Sequence, residues 1–265
     1  MSALTGYTGE VYPQRIISLV PSVTEELYLL NVEDRLIANT VYCNRPEEAK
    51  RKEKVGTVIE VNLEKIVQLK PDLILSSTLT DSRAKEKLKS LGIKVITFPQ
   101  ASSLSELSRQ FLELAKLLGK KKEAQEIVAM VERKVSSVKE RVNGLPKPKV
   151  FVQIGANPLF TANKSSFIND FIELAGGINI ARDVKTGIYS REEVLRHNPD
   201  VIIIAAMGID EEEKKNWQNY ATLNAVKNDR IYIVDSYRFC SPTPATFVEV
   251  LQETAKALHP EMPEN

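Results

Sequence analysis

The sequence predicts an α/β protein with two lobes, each containing a mostly parallel sheet, joined by one long α-helix. Three observations lead to this prediction. Short apolar strands alternate with helices before residue 100 and again after residue 147, as is typical of parallel sheets. Residues 104–142, between these blocks, have helical spacing and contain no proline. A segment of the first block also recurs, without a gap, in the second block.

The length of the chain agrees with two domains. Its 265 residues fit two domains of about 100–150 residues better than one small domain. We expect a first lobe over residues 15–101, a bridging helix over residues 102–146 and a second lobe over residues 147–265. Residues 1–14 are polar and contain glycine, so we expect a disordered leader there.

The first lobe is predicted from short apolar strands and from helices with apolar residues at helical spacing. The predicted strands are Ile16–Val20, Arg35–Thr40, Asp72–Ser76 and Lys94–Phe98. The predicted helices are Val23–Leu30, Leu63–Leu69 and Ser82–Leu91. The strand at Asp72–Ser76 shows no polar alternation, which indicates burial on both faces.

The predicted bridge runs from Leu104 to about Val142. Apolar residues recur there at helical spacing, and Gly119 is the single glycine of the segment. Asn143–Pro146 ends the helix. A coiled-coil arm is the alternative, but a second α/β block begins immediately after the segment, which favours a bridge.

The second lobe repeats the alternation of the first. Its predicted strands are Lys149–Ile154, Val201–Ala205 and Arg230–Val234. Its predicted helices are Phe167–Ala175, Glu192–Asn198, Asp210–Tyr220 and Thr246–Leu258.

Composition argues against several classes of protein. The net charge is +1, from 36 Lys and Arg and 35 Asp and Glu, so no nucleic-acid partner is expected. Two cysteines, Cys43 and Cys240, and two histidines do not form a zinc motif, so no metal site is expected; free thiols are favoured over a disulfide. An enzyme on a doubly wound fold, such as an oxidoreductase or a metal chelatase, is disfavoured because no GxGxxG or Walker loop follows a strand. No catalytic residue is therefore predicted, and a cytoplasmic interaction module using the long helix is a third hypothesis.

The repeated segment is NLEKIVQLKPDLIL at residues 62–75 and SREEVLRHNPDVII at residues 190–203. Each copy has a helix-capping residue, a glutamate two positions later, a short apolar helix, Pro-Asp and a strand. Glu64 and Glu192 therefore fall in the first turn of equivalent helices, where a carboxylate interacts favourably with the helix dipole. Because the two copies match, we also expect a role for the pair in docking onto a symmetric partner with arginine clusters.

At these residues the sequence resembles the substrate-binding proteins of ABC importers in the helical-backbone class, class III, and most closely their cobalamin-binding members. The resemblance covers about Arg15 to Leu258. The segments that carry it are RIISLVPSVTE (15–25), YCNRPEEA (42–49), NLEKIVQLKPDLIL (62–75), LGIKVITF (91–98), KVFVQIGANPLFT (149–161), ELAGGINI (173–180) and SREEVLRHNPD (190–200).

The resemblance implies two Rossmann-like lobes with a ligand in the cleft between them, and docking of Glu64 and Glu192 onto the transmembrane subunits of the importer. The residues that it places in ligand binding are Pro21, Ser22, Tyr42, Val58, Phe160, Tyr237 and Arg238. Val58 stands where a cobalamin-binding relative has a tryptophan, and Arg238 is displaced by one position from the arginine of the family.

The function implied is capture of a corrinoid, cobalamin or cobinamide, and its delivery to an ABC importer by a monomer without a cofactor of its own. An iron–siderophore or haem is the alternative ligand. The resemblance implies a periplasmic or other extracytoplasmic location, with a lipoprotein anchor as one form of it. Residues 1–11 lack the basic and apolar regions of a signal peptide, which by itself is typical of a cytoplasmic protein; the alternative is a signal removed upstream.

Overall fold

The computed structural model describes residues 12–206 and 208–262. Most of the predicted leader, residues 1–11, lies outside the described residues. Within the described part, the Gln14 N–H donates to the Asp72 carboxylate at 2.7 Å, so the chain contacts the first sheet before residue 15. The described residues divide into two compact units: unit 1 contains those up to Gln100 and Leu112–Ala124, and unit 2 contains Ala101–Phe111 and those from Gln125 onward.

Unit 1 contains a five-stranded parallel sheet in the order β3-β2-β1-β4-β5. Its strands are β1 (Ile16–Ser18), β2 (Leu36–Asn39), β3 (Glu53–Lys54), β4 (Leu73–Ser77) and β5 (Lys94–Phe98). Its helices are α1 (Pro21–Leu29), α2 (Leu63–Gln68) and α3 (Ser82–Ser90), with a 3₁₀ turn at Glu47–Arg51. Leu73, Ile74 and Leu75 of β4 are fully buried, which confirms the prediction of a strand covered on both faces.

The predicted bridge is two helices rather than one, α4 (Leu104–Leu118) and α5 (Lys121–Val142). The prediction of a continuous helix is wrong because Gly119 has φ of +76°, a left-handed conformation that ends a helix. The Lys120 N–H then donates to the Ala115 carbonyl at 2.8 Å, a bond that closes the end of α4. Apolar spacing alone did not indicate the break, because the period resumes after it.

Unit 2 contains a four-stranded parallel sheet in the order β7-β6-β8-β9. Its strands are β6 (Lys149–Gln153), β7 (Ile178–Asn179), β8 (Val201–Ile204) and β9 (Ile231–Ile233). Its helices are α6 (Phe167–Leu174), α7 (Arg191–His197), α8 (Asp210–Gln218), α9 (Asn224–Lys227), α10 (Ser236–Cys240) and α11 (Pro244–Leu258).

Both faces of the unit 2 sheet are covered by apolar side chains. Val150 and Val152 of β6 pack in one cluster with α6 and α11, whereas Phe151 packs in a second cluster with Trp217 of α8. Neighbouring residues of one strand thus point to opposite faces and are buried on both, as in parallel sheets flanked by helices. The predicted α/β fold with mostly parallel sheets in two lobes is confirmed.

The elements that the sequence did not predict are all short: β3, β7, α9 and α10 have two to five residues. Segments of this length span little more than one period of apolar spacing, so no repeating pattern can be recognised in them. The closing helix α11 starts at Pro244, earlier than predicted, because Thr243 and Thr246 form a reciprocal cap at its first turn. Within residues 12–206 and 208–262, no helix is long and apolar enough to cross a membrane.

Candidate functional site

In unit 1, the strand order reverses between β1 and β4, which are hydrogen-bonded neighbours. In open parallel sheets, ligands bind outside the carboxyl ends of the strands at such a reversal. Pro21 and Ser22 lie there, as the first two residues of α1, which begins three residues after β1 ends. Both side chains are partly buried.

Four exposed apolar side chains lie on loops that follow strands of unit 1. Val41 and Tyr42 follow β2, Ile59 follows β3 and Leu79 follows β4. Their exposed fractions are 47%, 46%, 58% and 66%. We call these four residues the unit 1 edge.

Tyr42 is exposed on a loop that is anchored on both sides. Its neighbour Cys43 is fully buried and accepts a hydrogen bond from the Thr24 hydroxyl of α1 at 3.1 Å. Further along, Arg45 forms an ion pair with Glu25 of the same helix at 2.8 Å. On the other side of the tyrosine, the Val41 N–H donates to the Gly56 carbonyl at 3.0 Å. The loop therefore presents the tyrosine from a fixed backbone.

Val58, predicted to contact ligand, lies on the loop between β3 and α2 and is partly buried. Gly56 and Val61 pair across this loop. Gly56 has φ of +114°, and a Cβ there would lie 2.4 Å from the Glu60 carbonyl oxygen, so the tight loop requires glycine. The exposed apolar side chain of the loop is Ile59, which no sequence pattern indicated.

Unit 2 has a comparable set of exposed apolar residues. Phe160 follows β6, Ile188 pairs with Phe160, Ile209 follows β8 and Tyr237 follows β9. Their exposed fractions are 40%, 52%, 38% and 36%. We call these four residues the unit 2 edge. In each unit, the predicted aromatic residues thus lie, with further exposed apolar residues, on segments that follow the carboxyl ends of strands or pair with them.

Arg238 is the least available of the predicted ligand contacts. Its guanidinium donates to Glu249 of α11 and forms a second ion pair with Glu253, each at 3.0 Å. Burial lowers the pKa of Arg238, but these two carboxylates raise it by more, so the net shift is upward. A ligand would reach this guanidinium only alongside two carboxylates.

Glu64 and Glu192 occupy matching positions in the two units. Each is the second residue of its helix, α2 or α7, and each side chain is exposed. The Asn62 side chain caps α2 by accepting from the Lys65 N–H. Ser190 caps α7 by accepting from the Glu193 N–H.

The ends of the two helices also match. Lys70 and Asn198, eight residues after the two caps, have φ of +48° and +47°, so both copies turn through the left-handed region before Pro-Asp. The pKa of Glu192 is lowered by hydrogen bonds from its own backbone N–H and from Ser190. Both glutamates are exposed carboxyl residues in the first turn of equivalent helices, as the repeat predicted.

A buried polar network lies behind the unit 2 edge. Glu213 of α8, 5% exposed, accepts from Gln153 at the end of β6 and from Arg191 at the start of α7. Burial raises the pKa of Glu213, and the hydrogen bonds from Gln153, Arg191 and Asn216 lower it by more, so the net shift is downward. Arg191 also lies 4.6 Å above the ring of Trp217. No sequence pattern indicates this network, because its members are far apart in the chain.

A second buried carboxylate, Glu26, lies on α1 behind Pro21 and Ser22 and is 4% exposed. Desolvation and, to a lesser degree, the charge of Glu25 raise the pKa of Glu26 to about 8. The carboxyl group is therefore mostly protonated at neutral pH.

The described residues contain no group of three or more His, Cys, Asp and Glu side chains that could hold a metal ion, and Cys43 and Cys240 are free thiols. A cavity of about 450 Å³ opens at the opposite, amino-terminal edge of the unit 2 sheet. It is lined by Lys147, Asp200, Arg230 and residues 258–262, not by the predicted ligand contacts.

Comparisons with known proteins agree with this architecture. The model of the periplasmic binding protein family matches residues 16–237. An uncharacterized ABC transporter substrate-binding lipoprotein, YvrC, of Bacillus subtilis is 30% identical over 94% of this chain and 81% of that protein. The vitamin B12-binding protein of Yersinia pestis is 31% identical over 72% of this chain and 69% of that protein.

Among solved structures, a possible iron-binding, periplasmic solute-binding protein of Staphylococcus epidermidis superposes with a TM-score of 0.83 at 28% identity. The match covers 94% of this chain and 100% of that one. The family match and the shared fold lead to one conclusion: this chain belongs to the periplasmic binding protein family.

Proposed function

We propose that this protein captures a corrinoid, cobalamin or cobinamide, outside the cytoplasm and delivers it to the transmembrane subunits of an ABC importer. The observation that carries the proposal is the pair of exposed apolar edges at the carboxyl ends of both sheets. Exposed apolar groups at these ends mark the place where parallel sheets bind ligands.

The composition of the two edges suits a flat macrocycle. Such a ligand offers large apolar faces, which aromatic side chains cover well, and a polar periphery that needs few hydrogen-bonding partners. Tyr42 and Phe160 are the aromatic residues that would cover the faces. Ser22, Tyr237 and Arg238 are the polar or partly polar groups nearby, and Val58 adds apolar surface. The corrinoid is cargo in this proposal and takes part in no reaction.

The relatives support the importer role. The Bacillus subtilis protein is named as an ABC transporter substrate-binding lipoprotein, and the Yersinia pestis protein is named for vitamin B12. By similarity, we infer an extracytoplasmic location, with a lipid anchor as one form of it. The protein would act as a monomer whose partners are the ligand and the importer.

Glu64 and Glu192 are the proposed docking residues. Both are exposed and charged, and they occupy matching places in two similar units. Carboxylates of this kind form charge-assisted hydrogen bonds with arginine, and exposed pairs act mainly on the association rate.

An iron–siderophore or haem is the second candidate ligand. The name of the Staphylococcus epidermidis protein, which refers to iron binding, supports this alternative at a similar level of identity. Both candidates are large metal chelates, and the apolar edges suit either of them.

Isothermal titration calorimetry of the purified protein distinguishes the candidates. The ligands are cyanocobalamin, dicyanocobinamide, haemin and a ferric hydroxamate siderophore. We expect a corrinoid to bind with a dissociation constant of about 1 μM or lower, which corresponds to about −8 kcal/mol. If only haemin or the siderophore gives heat of binding, that compound and not a corrinoid is the ligand. Absence of heat with all four would contradict capture of a metal chelate.

A further inference from the structure

In unit 2, the loop that carries Phe160 is joined to the segment that leads into α7. The Tyr189 N–H donates to the Leu159 carbonyl at 2.9 Å, and the Thr161 N–H donates to the Gly187 carbonyl at 2.7 Å. Phe160 therefore lies between two backbone hydrogen bonds to this segment. Tyr189 directly precedes Ser190, the cap of α7, so the Phe160 loop and the Glu192 helix share one stretch of backbone.

A side-chain connection reinforces this backbone connection. The Glu213 Oε2 atom accepts hydrogen bonds from Gln153 Nε2 at 2.5 Å and from Arg191 Nη2 at 2.6 Å. Arg191 is the first residue of α7, next to Glu192. One carboxylate oxygen thus joins the end of β6 to the start of the docking helix.

Gln153 continues the connection to the Phe160 loop. Its Nε2 atom also donates to the Gly155 carbonyl at 3.3 Å, and the Phe160 N–H donates to the same carbonyl at 3.1 Å. The Gln153 Oε1 atom accepts from Trp217 Nε1 at 2.6 Å, which fixes the orientation of the amide. Gln153 and Trp217 are fully buried, so water does not compete for these bonds.

We propose that Glu213 is a positioning residue that couples the Phe160 loop to α7, so that occupancy of the unit 2 edge changes the placement of Glu192. The inference rests on the proposed function, because it takes Phe160 as a ligand contact and Glu192 as a docking residue. A buried carboxylate keeps its charge only while its partners stay in place, and displacement of one partner therefore affects the others.

The coupling is measurable without ligand, by hydrogen exchange of backbone amides in a double-mutant cycle. The variants are Phe160→Ala, Glu213→Gln and their combination. We expect Phe160→Ala to accelerate exchange of the amides of α7 about threefold or more in the wild-type background. In the Glu213→Gln background, where only the backbone connection remains, the acceleration should fall to about 1.5-fold. A purely structural role of Glu213 would leave the effect of Phe160→Ala equal in both backgrounds and would overturn the proposal.

Two further variants complete the experiment. Glu193→Gln removes an exposed ion pair with Arg196 in the same helix and serves as the matched control, in which the coupling should persist. Arg191→Lys keeps the charge but loses the geometry of the guanidinium, and it tests the connection if Glu213→Gln does not fold. The proposal requires a reduced coupling in Arg191→Lys; an unchanged coupling there, or a loss in Glu193→Gln, contradicts it.

The same exchange measurement with added ligand separates this inference from the proposed function. With saturating cyanocobalamin, we expect α7 exchange to slow in the wild type and to change little in Glu213→Gln. If cyanocobalamin does not bind the wild type, the corrinoid assignment fails, while the ligand-free cycle still decides whether Glu213 couples the two segments. Equal slowing in both proteins would contradict the proposal.

Discussion

Asp72 and Arg15 are joined by a reciprocal pair of hydrogen bonds. The Asp72 N–H donates to the Arg15 carbonyl at 3.0 Å, and the Asp72 carboxylate accepts from the Arg15 N–H at 3.1 Å. Asp200 and Lys149 form the same pair in unit 2, with both distances at 2.8 Å. The aspartate of each repeat therefore ties the start of its own strand to the start of the neighbouring strand. The two repeats are equivalent in contacts as well as in sequence.

The first prediction concerns this aspartate. Asp200→Ala should lower the free energy of unfolding by about 1–3 kcal/mol, because the Lys149 N–H and the Asn224 side chain lose their acceptor. Asp72→Ala should lower the free energy of unfolding by less, since Asp72 is exposed and water can replace the hydrogen bonds of its carboxylate. Urea unfolding measures both. Asp34→Ala, at another exposed aspartate, is the control and should change stability by less than about 0.5 kcal/mol. Equal stability of Asp200→Ala and the control would contradict a structural role of the repeat.

Much of the fold could be predicted because it depends on local signals. Strands such as β4 and β8 are continuous apolar runs, and the capped helices α2 and α7 carry their own start signals. Such patterns arise from neighbouring residues, so the sequence displays them directly.

The remaining features depend on contacts between distant residues. Gln153 and Glu213 are 60 positions apart, and neither has a neighbour in the chain that indicates its partner. Ile59 and Leu79 read as ordinary apolar residues, and only the sheet order places them on the same edge. The break at Gly119 depends on backbone conformation, which one glycine in a periodic helix does not specify.

The second prediction tests that break. Gly119→Ala should destabilise the protein because its φ of +76° strains any other residue and because the new Cβ would lie 2.6 Å from the Tyr12 ring. Gly144→Ala is a matched control, with φ of +81° and no neighbouring atom within 4 Å. The backbone strain alone costs about 1–2 kcal/mol, so the control should lose that amount and Gly119→Ala more. Equal midpoints in urea for both variants would exclude a contribution from Tyr12.

The third prediction is a pH dependence of stability from Glu26. The pKa of Glu26 is about 8 in the folded protein against an ordinary 4.5, so the folded state binds more protons between these values. The contribution of Glu26 to the free energy of unfolding is therefore fully present below about pH 4.5 and is lost as the pH rises through about 8. Each unit of pKa difference corresponds to about 1.4 kcal/mol.

Glu26→Gln removes the titrating group while keeping its shape. Urea unfolding between pH 5 and pH 9 should show a decline with pH in the wild type that is smaller in Glu26→Gln. The variant should gain stability relative to the wild type at the alkaline end. Parallel curves for the two proteins would show that Glu26 is not protonated in the fold.

The fourth prediction concerns the apolar edges. Tyr42→Ala and Phe160→Ala should each weaken corrinoid binding about tenfold or more, equivalent to about 1.4 kcal/mol, because each removes a ring that covers the ligand. The global stability of both variants should change little, since 46% of Tyr42 and 40% of Phe160 is exposed. Leu91→Ala removes a side chain that is 50% exposed and lies after α3, outside both edges, and it should bind as the wild type does. An equal loss of corrinoid affinity in all three variants would contradict a role of the two edges in ligand binding.

The central claim is that ligand capture and docking use different residues, and one paired measurement tests it most directly. Glu64→Gln/Glu192→Gln and Tyr42→Ala/Phe160→Ala are each titrated with cyanocobalamin and assayed for binding to the transmembrane subunits of the importer. We expect the glutamate variant to keep its ligand affinity and lose docking, because charge-assisted bonds to arginine are removed. The aromatic variant should lose ligand affinity and keep basal docking. Loss of ligand affinity with normal docking in the glutamate variant would place Glu64 and Glu192 in the ligand site and contradict the account.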